Sequence, residues 1–333
     1  MVGWHSMSFA CLRRVDSATV KNPIKPAISA YGGSGKYMTF KPLTLKDQPI
    51  FRAMEKAAPP TTSDTVFTNL FIWRSYYRPL WVEAHGCICL IAAPEGEEPF
   101  GLPPVGPGDQ VAALDFTLAA LRERTANPIF RRVPEELAEK LEAAGSPYTW
   151  EHDRDNDDYI YPRERLCTLG GRKMHQKKNH YNYFVSHNQF ECIPITKALV
   201  PDLLAVEESW LATKEEQNIS ASHLSHEVES VYELLRHMDE LNQIGMAITI
   251  DGKIEGFTMG ELVGPDTVVV HIEKADYEVR GLFVAISSHF CRQLPEEVVY
   301  INREQDLGLP GLRHSKESLK PEFMRRKFIV RPK

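Results

Sequence analysis

Residues Met246–Leu262, MAITIDGKIEGFTMGEL, carry the clearest structural signal in the sequence. Two largely apolar segments, 246–250 and 254–262, flank the dipeptide Asp251-Gly252. Asp-Gly between two such segments favours a β-hairpin, because the two-residue turn needs residues that tolerate a positive φ. We therefore predict two antiparallel strands joined at this dipeptide.

The segments on either side of the hairpin extend it into a mixed α/β pattern. The predicted order is strand 190–195, helix 197–214, helix 225–242, the hairpin, strand 267–275, helix 281–294, strand 298–301, a polar segment and strand 326–330. Residues 38–165 show a similar order with weaker strands. At 333 residues the chain is long enough for two domains. We therefore predict an α/β fold with mixed sheets and two domains, residues 38–165 and 166–333.

The overall composition restricts the class of protein. The chain is 43% hydrophobic and 25% charged with a net charge of -6, which is typical of globular proteins and argues against general nucleic-acid binding. No apolar run approaches the ~18 residues of a membrane span, so we predict no transmembrane segment. The six cysteines include no CxxC pair. We predict no metal site, and reduced, buried thiols in a cytoplasmic protein.

Residues 1–37 lack the pattern of the rest of the chain. Asp16 is their single acidic residue, and they show no helical periodicity. The continuous apolar stretch of a secretory signal is missing. We expect either a disordered tail or translation that begins at Met38, and on composition a transit-like leader is a further alternative.

A charged segment follows the strand at 298–301. It reads YINREQDLGLPGLRHSKES over residues 300–318 and mixes charges of both signs with glycines that bend the backbone. Open α/β sheets bind ligands beyond the carboxyl ends of their strands, so this segment predicts a polar site. The alternative is a solvated loop with internal salt bridges. The polar and charged residues of interest are Asn302, Arg303, Glu304, Asp306, Arg313 and Lys316.

A basic segment, GGRKMHQKKNH, spans residues 170–180 and continues into aromatic residues. After the two glycines its residues favour a helix. Cations interleaved with aromatic side chains suit a phosphate-bearing partner, whether a tRNA acceptor end, a lipid headgroup or a nucleotide. A basic, solvated helix face is an equally acceptable interpretation. The residues of interest are Lys173, Lys177, Lys178, Asn179 and His180.

The third candidate is His271-Ile272-Glu273-Lys274, at the end of the strand 267–275. In a strand, His271 and Glu273 point to the same side. Either side chain could act as a general base that deprotonates an attacking amine. The alternative is an ordinary strand with a salt bridge to a neighbour.

Two segments and the element order resemble a known family. DDYIYPRERLCTLGGRKMHQKKNHYNYF (157–184) and YINREQDLGLPGLRHSKESLKP (300–321) are similar to an uncharacterised bacterial family related to the C-terminal domain of phosphatidylglycerol lysyltransferase. The resemblance extends from Met38 to the C-terminus. It implies two tandem domains of the GNAT acyltransferase type, as in those lysyltransferases and in the Fem transferases.

The resemblance also implies a donor and a set of site residues. Those relatives use aminoacyl-tRNA as the donor, whereas GNAT enzymes hold the pyrophosphate of coenzyme A on a glycine-rich helix N-terminus. The corresponding segment here, Arg280–Ala285, contains a single glycine. The membrane-embedded region of the lysyltransferases has no counterpart in the sequence, so the resemblance leaves the acceptor open. The positions carried over by motif are Lys173, Lys177, Lys178, Asn179, His180, Asn302, Arg303, Glu304, Asp306, Gly308, Gly311, Arg313 and Lys316.

The leading hypothesis is a soluble aminoacyltransferase or acyltransferase in which an amine or hydroxyl attacks an activated carbonyl. Its donor would be aminoacyl-tRNA or acyl-CoA. Glu273, Glu304 or His271 would orient or deprotonate the acceptor, and the basic residues would bind a phosphate-bearing or otherwise anionic substrate. The alternatives are a non-catalytic ligand-binding or regulatory module and an N-acyltransferase that binds coenzyme A in an altered pose.

Overall fold

The computed structural model describes the backbone of residues 29–31, 37–215 and 221–333, and the side chains of residues 38–207 and 226–333. Most of the predicted leader therefore lies outside the described residues. The strands are β1 (Ser29–Tyr31), β2 (Tyr37–Thr39), β3 (Lys41–Pro42), β4 (Leu80–Ala84), β5 (Cys87–Ala92), β6 (Phe100–Val105), β7 (Phe130–Pro134), β8 (Tyr148–His152), β9 (Asp158–Pro162), β10 (Phe190–Pro194), β11 (Ile244–Ile250), β12 (Lys253–Val263), β13 (Thr267–Ala275), β14 (Tyr300–Asn302), β15 (Phe323–Arg325) and β16 (Lys327–Pro332).

The helices alternate with these strands. They are α1 (Gln48–Ala57), α2 (Phe67–Ile72), α3 (Arg74–Tyr77), α4 (Gln110–Arg122), α5 (Glu135–Ala143), α6 (Arg163–Thr168), α7 (His175–His187), α8 (Val200–Glu215), α9 (Ala221–Arg236), α10 (Leu282–Gln293) and α11 (Pro310–Ser318). Within the described ranges, no helix is both long enough and apolar enough to cross a bilayer.

Apart from the short β1–β2 pair, the described strands form two seven-stranded mixed sheets. The first has the order β3-β4-β5-β6-β7-β16-β8 and the second β10-β11-β12-β13-β14-β9-β15. Each contains a single parallel pair, β6–β7 in one and β13–β14 in the other. Both halves of the chain repeat one order: strand, helices, three antiparallel strands, helix and parallel strand. This repeat confirms the predicted mixed α/β fold of two tandem units that have the GNAT-like element order.

The two halves exchange strands. The C-terminal strand β16 enters the first sheet between β7 and β8, and β9 enters the second sheet between β14 and β15. The segment TWEHDRDNDDYIYP (149–162) is predicted from sequence to be a strand interrupted by an acidic turn. In the structure, the turn at Arg154–Asn156 carries the chain from one sheet to the other. The division at residue 165 stays a prediction, and an excised half would lack a strand of its own sheet.

The hydrophobic core has three parts. The central cluster lies between the facing sides of the two sheets and includes residues of α1, α2, α8 and α9, such as Phe51, Phe67, Leu203 and Leu234. One outer cluster packs α4 and α5 against the first sheet. The other packs α6, α7 and α10 against the second sheet. Because both halves contribute to the central cluster, the facing surfaces are fixed relative to each other by apolar burial.

A buried ion network lies where the exchanged strands cross. The Lys327 ammonium on β16 pairs with Asp158 on β9, with Nζ 2.6 Å from Oδ1, and with Asp64. Arg132 on β7 pairs with the same Asp64 at 2.7 Å, and Asp158 accepts the backbone N–H of Ser63 at 2.7 Å. The side chains of Lys327, Asp64 and Asp158 are buried. Two cations therefore face two carboxylates, and the network is neutral.

Candidate functional site

The parallel pair β13–β14 separates after three residue pairs. Thr267–Val269 pairs with Tyr300–Asn302, and no pairing follows, although β13 continues to Ala275. The second sheet therefore opens beyond the carboxyl end of β14. We call this opening the β13–β14 gap; its walls carry His271 and Glu273 from β13 and Arg303 and Glu304 after β14. Openings of this kind are where α/β sheets bind ligands.

A β-bulge places His271 in the gap. The register between β12 and β13 shifts at Met259/Gly260, so that His271 is an extra residue without a cross-strand partner. A Cβ at Gly260 would overlap the backbone carbonyl of Val269, so this position requires glycine. Bulges of this type redirect a side chain and are frequent beside functional sites.

His271 is buried between two carboxylates. Its Nδ1 lies 3.0 Å from Oε1 of Glu304, and its Nε2 lies 3.1 Å from Oε1 of Glu261. Burial opposes the charged form, but the hydrogen bonds to Glu261 and Glu304 outweigh it and raise the pKa of His271 to about 9. At neutral pH the ring is an imidazolium that donates both N–H groups. It is therefore a donor there, which weighs against the predicted role as a base.

The first half of the chain supplies two side chains that sequence reasoning missed. Arg52 on α1 pairs through Nη2 with Oε2 of Glu261 at 2.5 Å and through Nη1 with Glu55 at 2.9 Å. Asn69 on α2 donates from Nδ2 to Oε1 of Glu304 at 2.8 Å. Burial disfavours a charged Glu261, yet its hydrogen bond with His271 helps to hold the pKa of Glu261 below its usual value. One signal was available, since Glu261 is an acid within the largely apolar stretch 256–263.

The opposite wall of the gap carries cations. Arg303 Nη2 lies 2.5 Å from Oε1 of Glu273, and Lys316 on α11 donates from Nζ to the carbonyls of Arg303 and Glu304. Burial, followed by the charge of Arg303, lowers the pKa of Lys316 to about 8, and the same two causes lower the pKa of Lys177. Within the described residues, neither ammonium forms an ion pair with a carboxylate. The ammonium groups of Lys316 and Lys177 therefore give this corner of the gap positive charge that no paired carboxylate among the described residues neutralises.

Three of the predicted residues near the gap, Arg313, Asp306 and Asn302, form hydrogen bonds within the protein. Arg313 pairs with Asp306, with Nη2 2.8 Å from Oδ1, and its hydrogen bonds help to hold the pKa of the buried Asp306 carboxyl far below its usual range. Asn302 is buried and donates to Asp158 at 2.9 Å. Its Oδ1 accepts the backbone N–H of Glu304 at 2.8 Å, which supports the left-handed φ of +55° at Glu304.

The basic segment forms a short helical turn followed by α7. Lys173, Lys178 and Asn179 are exposed on it, and His180 is half-buried. Lys177 is the member whose charge interacts with that of Arg303. Of the predicted basic residues, Lys177 is therefore the one that the fold associates with the gap.

Both helix N-termini that could hold a coenzyme A pyrophosphate are occupied. In the first half, the Asp109 carboxylate accepts the backbone N–H groups of Val111 and Ala112 at the start of α4. In the second half, α7 packs across the start of α10, and Gly281 lies against the backbone carbonyl of His180. A phosphate at either N-terminus would have to displace a carboxylate or a helix.

Replacing Gly281 by alanine should destabilise the protein by roughly 2–4 kcal/mol, from a strained positive φ and an overlap with α7. Gly252 has a similar φ, +81° against +86°, but an added methyl group there would have no atom within 4 Å. Gly252→Ala should therefore cost only about 1–2 kcal/mol. Urea unfolding at neutral pH measures both. Equal losses would contradict close packing of α7 on α10.

Comparison with known proteins agrees with this architecture. A crystal structure of a conserved protein of unknown function from Bacteroides thetaiotaomicron is similar with a TM-score of 0.82 and 30% identity, over 88% of this chain and 99% of that chain. L-PGS from Bacillus licheniformis has a TM-score of 0.62 and 14% identity, over 89% of this chain and 94% of that chain, and shares the fold.

An uncharacterised protein from Mycoplasmoides gallisepticum is 25% identical over 182 residues, 52% of this chain. The alignment covers 56% of that protein, so this chain matches little more than half the length of that relative. The model of the family "phosphatidylglycerol lysyltransferase, C-terminal" matches residues 56–331, most of the chain. This chain belongs to the phosphatidylglycerol lysyltransferase C-terminal family.

Proposed function

We propose that this chain transfers an aminoacyl or acyl group to an amine or hydroxyl acceptor in the β13–β14 gap. The observation that carries the proposal is the charge of Lys177 and Lys316, which form no ion pair with a carboxylate within the described residues and lie beside Arg303 around an open strand end. Buried ammonium groups with lowered pKa values are stabilised when an anion binds beside them. Donors of this class, aminoacyl-tRNA and acyl-CoA, both carry phosphates.

The geometry suggests a role for each group. Arg303, Lys316 and Lys177 would bind a phosphate or carboxylate of the substrates. Glu304 would accept the proton of the attacking amine or hydroxyl, because its Oε1 is hydrogen-bonded and its Oε2 accepts no hydrogen bond within the described part of the chain. The new bond forms at the donor carbonyl carbon, the ester or thioester bond breaks, and the proton goes to the leaving hydroxyl or thiol. Glu273, held by Arg303, is the alternative base.

The occupied helix N-termini favour aminoacyl-tRNA over acyl-CoA as the donor. Family membership supports transfer of an aminoacyl group, because the family is named for a lysyltransferase. The five described cysteines are free, which supports the proposed cytoplasmic location.

Purified protein incubated with radiolabelled charged tRNAs, or with labelled acyl-CoAs, tests the proposal. We expect label from an aminoacyl-tRNA to reach an added amine or hydroxyl acceptor. Transfer from acyl-CoA alone would identify the N-acyltransferase alternative. Donor binding without any transfer would identify the non-catalytic module, and neither binding nor transfer would overturn the proposal.

Anion binding in the gap should depend on pH. Lys316 must be protonated to bind an anion, and its pKa in the free protein is about 8. Affinity for sulfate, whose own charge is constant here, should fall by up to about tenfold per pH unit above that pKa. Calorimetric titration at several pH values measures this. Lys316→Met should flatten the dependence, and Lys178→Met on the exposed face of α7 should not. A pH-independent affinity in the unaltered protein would contradict the assignment.

A further inference from the structure

We propose that Arg52 and Glu261 are positioning residues that act through His271 to hold Glu304 with one oxygen occupied and the other open to the gap. This inference rests on the proposed function and identifies residues that orient Glu304, the proposed base. It also assigns a part of the site to the first half of the chain, because Arg52 lies on α1.

The charges around His271 favour the protonated form of its imidazole ring. The groups that face it come from four elements: Glu261 on β12, Glu304 after β14, Arg52 and Glu55 on α1, and the neutral Asn69 on α2. Three carboxylates against one guanidinium leave a net charge of -2 around a neutral imidazole and -1 around an imidazolium. Uncompensated buried charge is costly, so the protonated ring is the stable form.

The hydrogen bonds fix the direction of each group in turn. Arg52 occupies Oε2 of Glu261 at 2.5 Å, so that Oε1 is directed at the Nε2–H of His271 at 3.1 Å. With that nitrogen held, Nδ1–H points at Oε1 of Glu304 at 3.0 Å. Asn69 donates to the same oxygen at 2.8 Å. Both donors therefore meet one oxygen of Glu304.

The backbone of Glu304 is held in a matching way. Its φ of +55° is unusual for a residue with a side chain, and the Asn302 side chain accepts its N–H. Strained backbone of this kind persists where the surroundings impose it, and it is frequent at functional sites. The Glu304 side chain retains 17% exposure, whereas His271 has none. Glu304 therefore keeps some contact with solvent, and its second oxygen accepts no hydrogen bond within the described residues.

This arrangement gives Arg52 and Glu261 a role that differs from simple stabilisation. Neither touches the open oxygen of Glu304, and both determine where it points. A buried imidazolium cannot take a further proton, so the proton from the acceptor stays on Oε2 of Glu304 until the leaving group receives it. Loss of either positioning residue should lower kcat and leave the KM for the donor nearly unchanged.

The experiment measures the titration of His271 in the full chain by NMR of its imidazole, assigned by the signal that His271→Asn removes. In the unaltered protein the ring should titrate near 9. In Glu261→Gln its pKa should fall by about two units, since one opposite charge within hydrogen-bonding distance shifts a pKa by roughly 1–3 units. Glu261→Asp keeps the charge, so the ring should stay protonated at neutral pH while kcat falls.

Arg52→Met tests the positioning step and Arg74→Met is its control. Arg74 forms another ion pair between the halves, with Glu233 at 2.6 Å, and has no contact with the network around His271. Arg52→Met should lower kcat by about 10- to 100-fold with little change in KM, and Arg74→Met should leave both unchanged. Equal effects of the two variants would overturn the proposal.

Two outcomes separate this inference from the proposed function. A neutral His271 at pH 7 in the unaltered protein, or an unmoved titration in Glu261→Gln, would overturn the positioning network whether or not transfer is observed. The expected shift in a protein that transfers nothing would support the network and contradict the transferase function.

Discussion

Replacing Lys327 by methionine should lower the free energy of unfolding by about 3–5 kcal/mol, the cost of removing one partner from a buried ion pair. The side chain is fully buried, and its ammonium pairs with Asp158 and Asp64. Methionine has a similar length, so the loss of charge, and not a cavity, determines the effect. The site also lies where β16 and β9 enter each other's sheets, so the loss should weaken the joint between the two halves.

The size of this loss should depend on pH. Burial already raises the pKa of Asp158 above its unfolded value, and removal of the neighbouring ammonium raises it further. A carboxyl whose pKa is higher in the folded state binds more protons there than in the unfolded state. The folded variant therefore gains stability as the pH falls through that raised pKa. The deficit should be largest at neutral pH and smaller at pH 5.

Urea unfolding at pH 7 and pH 5 measures both effects. Lys253→Met removes an exposed ion pair with Glu255 and should change the free energy of unfolding by less than about 0.5 kcal/mol. The double variant Lys327→Met/Asp158→Asn should recover part of the loss, because the isolated carboxylate is gone. A change below about 1 kcal/mol in Lys327→Met alone would show that the network contributes little.

The fold was predictable wherever its signals are local. Asp251-Gly252 predicted the hairpin, and the structure has both residues at positive φ, +52° and +81°. The helix predicted over residues 281–294 spans Leu282–Gln293. Element order then identified the repeated architecture, because strands and helices in this order pack into few arrangements.

The strand exchange was not predictable in this way, since partner choice is a long-range property. Strands β9 and β16 have ordinary strand sequences, DYIYP and KFIVRP, that would fit an edge of either sheet. Their first residues, Asp158 and Lys327, hold the missing information. A buried acid and a buried base at the starts of two largely apolar strands each need a partner, and they pair with each other.

The candidate site was predicted only in part, because contacts between residues distant in sequence cannot be read from local patterns. The sequence singled out His271, Glu273, Arg303 and Glu304, which the fold brings to one gap. It could not identify Arg52, which lies more than two hundred residues from Glu261 in sequence. Arg313 and Asp306, which were predicted to bind a ligand, form an ion pair with each other. This is the alternative of a loop with internal salt bridges, which opposite charges in one loop always allow.

Replacing Glu304 by glutamine should lower the rate of group transfer by about 100- to 10,000-fold, the contribution typical of a general base. Glutamine keeps the shape of the side chain, and its oxygen can still accept the hydrogen bonds of His271 and Asn69. The variant should therefore fold and melt within a few degrees of the unaltered protein. KM for the donor should change little, because the cations that would bind the donor remain in place.

Glu273→Gln is the matched comparison, since Glu273 is the alternative base in the same gap. Its carboxylate is engaged by Arg303, with Oε1 2.5 Å from Nη2. Its loss should free the guanidinium and therefore change KM more than kcat. Steady-state transfer with a labelled aminoacyl-tRNA donor distinguishes the two residues. If Glu304→Gln kept more than a tenth of the rate while Glu273→Gln lost most of it, Glu273 would be the base, and the network around His271 would serve only to join the two halves of the chain.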